Sequence, residues 1–273
     1  MGHTPQYISK LRGHRILIIG GTSGIGLCVA EAALEHGAIV TVSGSTASKL
    51  HTALQHLSKI ESPLQQTPHA GEPTVSGSIC DLSNPSLQES ALLSLLDTAT
   101  VHGRHKLDHV VFTAGNNITI SPLEHVTPHD FELMQTVRVL APVLLAKLVP
   151  AYMSKSAHSS VTLTGGTQAM KPSPGWSVMA GIMSSISGFT LGFAVDLQPI
   201  RVNTVFPGAV HSTASNKMDP TLLEERLEAF RRTTLTNTVG TPEDVAEAYL
   251  YCMKSSYASG TTIIVDGGRL LKG

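Results

Sequence analysis

The sequence predicts an α/β protein built on one doubly wound parallel sheet with helices on both faces. Short β-branched runs alternate with helical stretches along the whole chain, and strands joined by helical crossovers pair in parallel with both faces covered. The composition agrees, because 41% of the 273 residues are hydrophobic at a formal net charge of −1, enough to bury a large core. A chain of this length is near the upper limit for one core, so we expect a single domain over residues 1–273.

Each predicted strand is a short run rich in β-branched residues. In chain order the strands are Arg15–Gly20, Ala38–Ser43, Val75–Cys80, Leu107–Thr113, Ser160–Thr164, Arg201–Val205 and Thr261–Val265. The first crossover helix covers Gly24–His36 and ends at Gly37, a residue suited to a helix C-terminus. A second helix runs through Lys49–Lys59, and the Pro- and Gln-rich stretch Glu61–Pro73 is predicted to be a loop.

The composition excludes several kinds of partner. Only 14% of residues are charged, which gives neither a basic surface for nucleic acid nor a polybasic signal for a membrane. We find no signal-peptide core and no run of eighteen apolar residues, so we expect no membrane partner and a cytoplasmic location. Cys28, Cys80 and Cys252 are odd in number and widely spaced, which suits a reducing compartment.

The sequence offers little for a metal. There is no Cys-x-x-Cys motif. His102, His105 and His109 have a suggestive spacing, but they lie in a polar connection before a strand, so we interpret them as exposed residues and predict no metal.

A glycine-rich turn follows the first strand directly and opens the first helix. Its sequence is Gly20-Gly21-Thr22-Ser23-Gly24-Ile25-Gly26. Glycines at 20, 24 and 26 allow a tight turn and close approach to a pyrophosphate, which would lie at the positive end of the helix. The position of the motif favours a dinucleotide site over a plain strand–helix turn.

The glycine spacing and several later motifs resemble the short-chain dehydrogenase/reductase family, over almost the whole chain. The later motifs are Cys80-Asp81-Leu82, Phe112-Thr113-Ala114-Gly115, Ile200-Arg201-Val202-Asn203, Pro207-Gly208, Ser212-Thr213, Gly240-Thr241-Pro242-Glu243-Asp244-Val245-Ala246 and Val265-Asp266-Gly267-Gly268. The resemblance implies a Rossmann-like fold with a nicotinamide cofactor. It places cofactor contacts at Gly20, Thr22, Ser23, Gly24, Ile25, Gly26, Asp81, Leu82, Thr113, Ala114, Gly115, Pro207, Gly208, Val210 and Thr213.

The end of the second predicted strand favours NADP(H) over NAD. An acidic residue there would bind the ribose hydroxyls of NAD and repel a 2′-phosphate. This chain has Ser43, Ser45 and Thr46 instead, with Lys49 one turn later. Hydroxyls and a cation suit a phosphate, so these four residues join the predicted cofactor site.

The residues that perform the family's usual chemistry are replaced. The resemblance implies a Ser and an Asn at positions that hold Gly165 and Arg138 here. It implies a Tyr and a Lys at positions that hold Met179 and Met183, or Trp176 and Ala180 in another register that is equally inert. A thioether cannot donate a proton, so we do not expect ordinary carbonyl reduction. Thr164 is the nearest hydroxyl that could polarise a substrate.

Two reactions remain open to such a site. Hydride transfer to an iminium cation leaves a neutral amine, so no proton donor is needed, unlike reduction of a carbonyl. Alternatively, the pocket holds a reactive molecule in one near-attack conformation, as a cycloaddition requires. Methionines fill irregular apolar volume and suit either reaction.

One branch of the family is a closer match: the fungal reductase/Diels–Alderases of bicyclo[2.2.2]diazaoctane indole alkaloid biosynthesis. The likeness rests on Leu17–Gly26, Arg138, Ala141–Leu148 and Pro172–Ser177. It implies NADPH-dependent reduction of an iminium-type intermediate, a [4+2] closure, and an apolar polycyclic substrate. It also implies catalytic roles for Arg138 and Trp176, while Ser173 replaces an Asp of that branch.

Two other functions are compatible with the sequence. One is a cofactor-independent cyclase or isomerase on the same fold, and the other is a non-catalytic NADP(H)-binding protein. In each case the resemblance implies a homo-oligomer, a dimer or tetramer, formed by the helices around Leu140–Met153 and Met183–Leu197.

Overall fold

The computed structural model describes residues 6–64, 72–116, 118, 120–211 and 219–273. In this part of the chain, seven parallel strands form one sheet in the order β3-β2-β1-β4-β5-β6-β7. The strands are β1 Arg15–Ile19, β2 Ile39–Gly44, β3 Val75–Ile79, β4 His109–Phe112, β5 Ser160–Thr164, β6 Arg201–Pro207 and β7 Thr262–Val265. The fold-class prediction is confirmed, and each strand lies within about two residues of its predicted bounds.

Helices cover both faces of the sheet. They are α1 Gly24–Glu35, α2 Ala47–Leu57, α3 Gln88–Ala99, α4 Pro128–Gln135, α5 Ala141–Leu148, α6 Ser177–Asp196, α7 Pro220–Arg232 and α8 Pro242–Lys254. One core cluster joins the sheet to α1, α2 and α8, and a second joins it to α3, α5 and α6. The five inner strands are buried on both sides, which explains their continuous apolar runs in the sequence, whereas the edge strands β3 and β7 are partly exposed.

The strand order of the sheet reverses between β1 and β4. Strand β1 pairs with β2 on one side and with β4 on the other, so the crossovers leave β1 in opposite directions. Crevices at the carboxyl ends of strands open at such a switch point. Gly20 and Thr113 follow β1 and β4 there, and the N–H of Thr113 donates to the carbonyl of Ile19 at 2.8 Å.

A π-helical turn interrupts the helical stretch that carries Arg138. It covers Thr136–Leu140 and joins α4 to α5. Pro142 has no N–H to donate to the carbonyl four residues earlier, which is that of Arg138. The carbonyl of Thr136 accepts the N–H of Ala141 and also a bond of 2.8 Å from the buried amide of Gln88.

Two helical stretches are long and apolar enough, by length and composition, to cross a membrane. They are Pro128–Ala151 and Ser177–Asp196. Both pack as layer helices and supply core side chains, among them Ala141, Leu145 and Ile186. Core helices of globular folds are often equally long and apolar.

Candidate active site

A cleft of about 400 Å³ opens at the carboxyl ends of β1 to β5. We call it the main cleft. The predicted site residues that the structure brings together in its lining are Gly20, Thr22, Ser23, Ile25, Gly26, Ser45, Lys49, Asp81, Leu82, Thr113, Ala114, Gly115 and Thr164. The cleft therefore combines most of the residues predicted to bind a dinucleotide.

The glycines of the first turn are required by close backbone approach. Gly20 has φ +91°, and a Cβ there would lie 2.6 Å from the backbone nitrogen of Ala114. A Cβ on Gly26 would overlap the carbonyl oxygen of Gly20 and Oγ1 of Thr113. Any side chain at either position would push the turn away from β4 and close the floor of the cleft.

The polar groups of the cleft suit a phosphate-bearing ligand. Ser23 is the N-cap of α1 but makes no side-chain cap bond, so the first N–H groups of that helix are available to an anion. Lys49 is exposed at the β2 end of the cleft. Asp81 lies at the end of β3, where its Oδ1 accepts a bond of 2.9 Å from the N–H of Ser83. These residues fit a dinucleotide with an extra phosphate.

Some predicted cofactor residues are not part of this lining. Ser43 is buried, and its carbonyl accepts bonds of 3.0 Å from both Gly20 and Gly21. Thr46 is the exposed N-cap of α2, and Gly24 borders a neighbouring cavity instead. Ser43 thus stabilises the glycine turn through its backbone carbonyl.

The remaining predicted contacts follow β6. A Cβ on Gly208 would lie 2.8 Å from the Cα of Asp266, so this turn packs closely on the chain after β7. Pro207 ends β6, and Val210 forms an isolated bridge with Gly240. Thr213 lies outside the described residues.

Arg138 leaves the π-helical turn beside the main cleft. A Cβ on Gly115 would lie 2.8 Å from the Cζ of Arg138, so the guanidinium lies directly against that glycine. Its Nη2 donates to the carbonyl of Asn116 at 2.7 Å, whereas Nε is enclosed and has no partner among the described residues. Burial lowers the pKa of Arg138, but an arginine stays charged at any physiological pH. Arg138 therefore supplies a half-buried cation beside the main cleft.

Gly165, Met179 and Met183 hold the positions at which the resemblance implies Ser, Tyr and Lys. All three have apolar surroundings in the structure. At Gly165, a Cβ would lie 2.6 Å from Cδ1 of the Phe206 ring. Met179 and Met183 are buried in a cluster with Met134. A Cβ on Gly166 would lie 3.0 Å from the Sδ of Met183. The arrangement contains no proton donor at these three positions.

Thr164 has a partner that the sequence did not indicate. Its hydroxyl donates to the carbonyl of Phe112 at 2.7 Å and lies 2.6 Å from the hydroxyl of Tyr249. Since Thr164 has one hydroxyl proton, Tyr249 is the donor in the second bond. Tyr249 is fully buried on α8, and burial raises the pKa of its phenol. No sequence signal marks this pair, because α8 and β5 are far apart in the chain.

Ser173 and Trp176 lie on the loop between β5 and α6. The hydroxyl of Ser173 accepts a bond of 3.2 Å from the side-chain amide of Gln168, whose oxygen accepts the N–H of Ser173 at 2.8 Å. Trp176 is half-buried at the start of α6 and packs on the methionine cluster. A Cβ on Gly175 would lie 3.0 Å from Cγ2 of Ile120, so the loop also contacts the segment after β4.

The interpretation of His109 as exposed is wrong. His109 is the first residue of β4 and is fully buried. Its Nε2 lies 3.1 Å from Nδ1 of His14, and its Nδ1 lies 2.9 Å from the hydroxyl of Ser160. Burial lowers the pKa of both imidazoles. This pair is at the amino ends of the strands, away from the main cleft.

With this geometry, the chain belongs to the short-chain dehydrogenase/reductase family. A family model described as an SDR-like Rossmann domain matches residues 7–272. The chain is 41% identical over 272 residues to the short-chain dehydrogenase/reductase malC of Malbranchea aurantiaca, with the whole of both chains covered. It is 34% identical to the short-chain dehydrogenase/reductase ucsE of an Acremonium species, over 96% of this chain and 97% of that protein.

Solved structures of this family superimpose on the chain. The MalC reductase/Diels–Alderase of Malbranchea aurantiaca superimposes with a TM-score of 0.89 at 40% identity, over 97% of this chain and 100% of that one. A short-chain dehydrogenase from Burkholderia cenocepacia in complex with NADP superimposes at 0.78 with 22% identity, over 95% of this chain and 99% of that one, which shows a shared fold. The predicted resemblance to the family and to its reductase/Diels–Alderase branch is confirmed.

Proposed function

We propose that this protein is an NADPH-dependent enzyme that reduces an iminium-type intermediate and guides a [4+2] cyclisation of the product in the same pocket. The observation that carries the proposal is the apolar packing at Gly165, Met179 and Met183, together with a half-buried Arg138 that lies against Gly115 in the lining of the main cleft. A reaction that needs no proton donor suits this arrangement, and reduction of a neutral carbonyl does not.

The main cleft is the proposed NADP(H) site. The glycine turn and the N–H groups at the start of α1 bind the pyrophosphate, and Ser45 and Lys49 bind the 2′-phosphate. Asp81 and Leu82 border the adenine, while Thr113 to Gly115 form the floor. When bound, NADPH supplies the hydride that reduces the iminium carbon.

The substrate is proposed to be an apolar polycyclic molecule. Exposed apolar side chains lie along the segment after β4 and on the β5–α6 loop, including Ile120 and Met170. Trp176 adds a rigid aromatic surface near Ile120. In this proposal the half-buried guanidinium of Arg138 binds a carbonyl oxygen of the substrate and holds it in one conformation, which favours both hydride transfer and cyclisation.

The proposal includes an assembly and a location. Helix α6 exposes Leu191 and Val195, and Gly188 and Gly192 leave open space beside them. This face supports a homo-oligomer in which α6 packs against a second copy. The three cysteines are free thiols in the structure, which supports a reducing compartment such as the cytoplasm.

The central experiment uses NADPH and a synthetic cyclic iminium, an N-methyl dihydroisoquinolinium with a methyl group on the iminium carbon. We expect stoichiometric oxidation of NADPH and one enantiomer of the amine. A matched ketone, methyl tetralone, is the control and is expected to be unreactive. Racemic amine without NADPH oxidation, or rapid reduction of the ketone, would overturn the proposal.

A second measurement separates the alternatives. An indole substrate that carries both an azadiene precursor and an alkene is incubated with and without NADPH. We expect a single cycloadduct stereoisomer only with NADPH. The same stereoisomer formed without NADPH would instead identify a cofactor-independent cyclase, and NADPH binding without any product would identify a binding protein.

A further inference from the structure

The chain folds back on itself after β7. Gly267 and Gly268 have φ +62° and +77°, and the carboxylate of Asp266 accepts bonds from the N–H groups of Gly268 at 2.8 Å and of Leu270 at 3.0 Å. This compact turn sends residues 266–272 back over the carboxyl end of the sheet. We call them the C-terminal clasp.

The clasp binds the β5–α6 loop through a reciprocal pair of cations. The guanidinium of Arg269 donates from Nη2 to the carbonyl of Lys171 at 2.7 Å. In return, the amine of Lys171 donates to the carbonyl of Arg269 at 3.4 Å and to that of Lys272. Each side chain therefore fixes the backbone of the opposite segment.

The clasp also binds the segment that follows α7. The carbonyl of Gly267 accepts a bond of 2.8 Å from the N–H of Leu235. The amine of Lys272 donates to the carbonyl of Thr234 at 2.8 Å and to Oδ1 of Asn237 at 3.3 Å. The clasp thus connects the β5–α6 loop, which precedes β6 in the chain, with the segment after α7, which follows β6.

We propose that Arg269 is a positioning residue that sets the wall of the substrate pocket through the β5–α6 loop. Five residues after Lys171, the same loop presents Trp176, and it also carries Ser173. Among the described residues Arg269 is not part of the main cleft lining, and its guanidinium bonds to the backbone of Lys171, so its effect on substrate is indirect. The inference rests on the proposed function for its kinetic consequence, but its structural consequence is independent of activity.

Trp176 provides a built-in reporter, because it is the single Trp of the chain. The variant Arg269→Gln removes the long guanidinium and keeps a polar side chain. We expect quenching of Trp176 fluorescence by acrylamide to rise by about twofold, since a loop that has lost its anchor opens locally more often. Arg269→Lys keeps a cationic donor near the Lys171 carbonyl and is expected to restore at least part of the protection.

The matched control is Arg232→Gln, which removes an exposed arginine whose Nε donates to Glu228 on the same helix. It is expected to leave Trp176 quenching unchanged. Should Arg269→Gln fail to fold, Lys171→Met removes the other arm of the pair at an exposed site, and the same rise in quenching is expected. Unchanged quenching in both clasp variants would overturn the proposal.

Kinetics test the consequence for substrate. With NADPH and the dihydroisoquinolinium probe, Arg269→Gln is expected to raise KM by about tenfold with kcat nearly unchanged, because a displaced wall weakens binding more than chemistry. The dissociation constant of NADPH is the internal control and should not move. If the probe is not turned over by the parent protein, the proposed function fails while the fluorescence test still decides the role of Arg269. A parallel loss of NADPH affinity would show a general structural effect and contradict the inference.

Discussion

The ring of Phe206 fills the space that a side chain at Gly165 would need, with Cδ1 2.6 Å from the position of a Cβ. Phe206 is fully buried, so it cannot move aside cheaply. Gly165→Ser is therefore expected to lower the free energy of unfolding by about 1–3 kcal/mol, the usual cost of overpacking. Urea unfolding measures this change.

The same variant tests whether the lost hydroxyl could simply be restored. We expect Gly165→Ser to gain no ketone reductase activity, because Met179 and Met183 still replace the proton donor and its neighbour. Ala229→Ser, at an exposed position on α7, is the control and should unfold at nearly the urea concentration of the parent. Ketone reduction by Gly165→Ser would contradict this account.

Lys49 is expected to decide the preference for NADPH over NADH. Lys49→Glu replaces an attractive charge with a repulsive one beside the proposed 2′-phosphate, so NADPH affinity should fall by about tenfold or more while NADH affinity changes little. Fluorescence titration with each cofactor measures both. The difference should shrink at high salt, because Lys49 is exposed.

The control for this variant is Lys59→Glu, a charge reversal at an exposed lysine just beyond the end of α2. It should leave both affinities unchanged. Equal losses of NADPH and NADH affinity in Lys49→Glu would show that Lys49 does not contact the 2′-phosphate.

Features set by local sequence were the ones that could be predicted. The seven strands follow from apolar β-branched runs, and the glycine turn follows from the backbone approach of Gly20 to Ala114. Lys49, in the first turn of α2, and Asp81, just after β3, follow the carboxyl ends of two neighbouring strands, and the meeting of such ends at one edge is a property of parallel sheets. These residues could be placed without knowledge of side-chain packing.

Contacts between distant segments could not be predicted. The bond between Thr164 and Tyr249 joins residues 85 positions apart, and the ring of Phe206 covers Gly165 from the neighbouring strand. The π-helical turn that contains Arg138 receives a bond at the Thr136 carbonyl from the buried Gln88, 48 residues earlier in the chain. Such arrangements are set by packing, for which the sequence has no periodic signal.

The buried pair of His14 and His109 predicts a loss of stability in mild acid. Burial lowers both pKa values in the folded protein, whereas an unfolded histidine has a pKa of about 6.5. Below that pH the unfolded chain binds more protons than the folded one. The free energy of unfolding should therefore be flat above about pH 7 and fall below about pH 6.5, by about 1.4 kcal/mol per pH unit for each proton taken up.

The pH dependence of the free energy of unfolding is measured by urea unfolding from about pH 8 to about pH 5.5, a range that brackets the pKa of an unfolded histidine. The double variant His14→Gln, His109→Gln should lose most of the slope whatever its absolute stability. His51→Gln, at an exposed position on α2, should keep the slope of the parent. An unaltered slope in the double variant would assign the acid sensitivity to other groups.

Arg138 gives the most direct test of the proposed chemistry. Arg138→Met keeps the length and apolar stem of the side chain but removes the buried cation and the donor to Asn116. Turnover of the cyclic iminium is expected to fall by about a hundredfold, the usual effect of losing one preorganised donor at a reacting centre. NADPH affinity should fall much less than turnover, because Arg138 contacts only Gly115 and Asn116 at one side of the main cleft and is not itself part of its lining. Arg104→Met, at an exposed arginine, is the control and should behave as the parent. Full activity in Arg138→Met would show that Arg138 has no catalytic role and that apolar contacts alone orient the substrate.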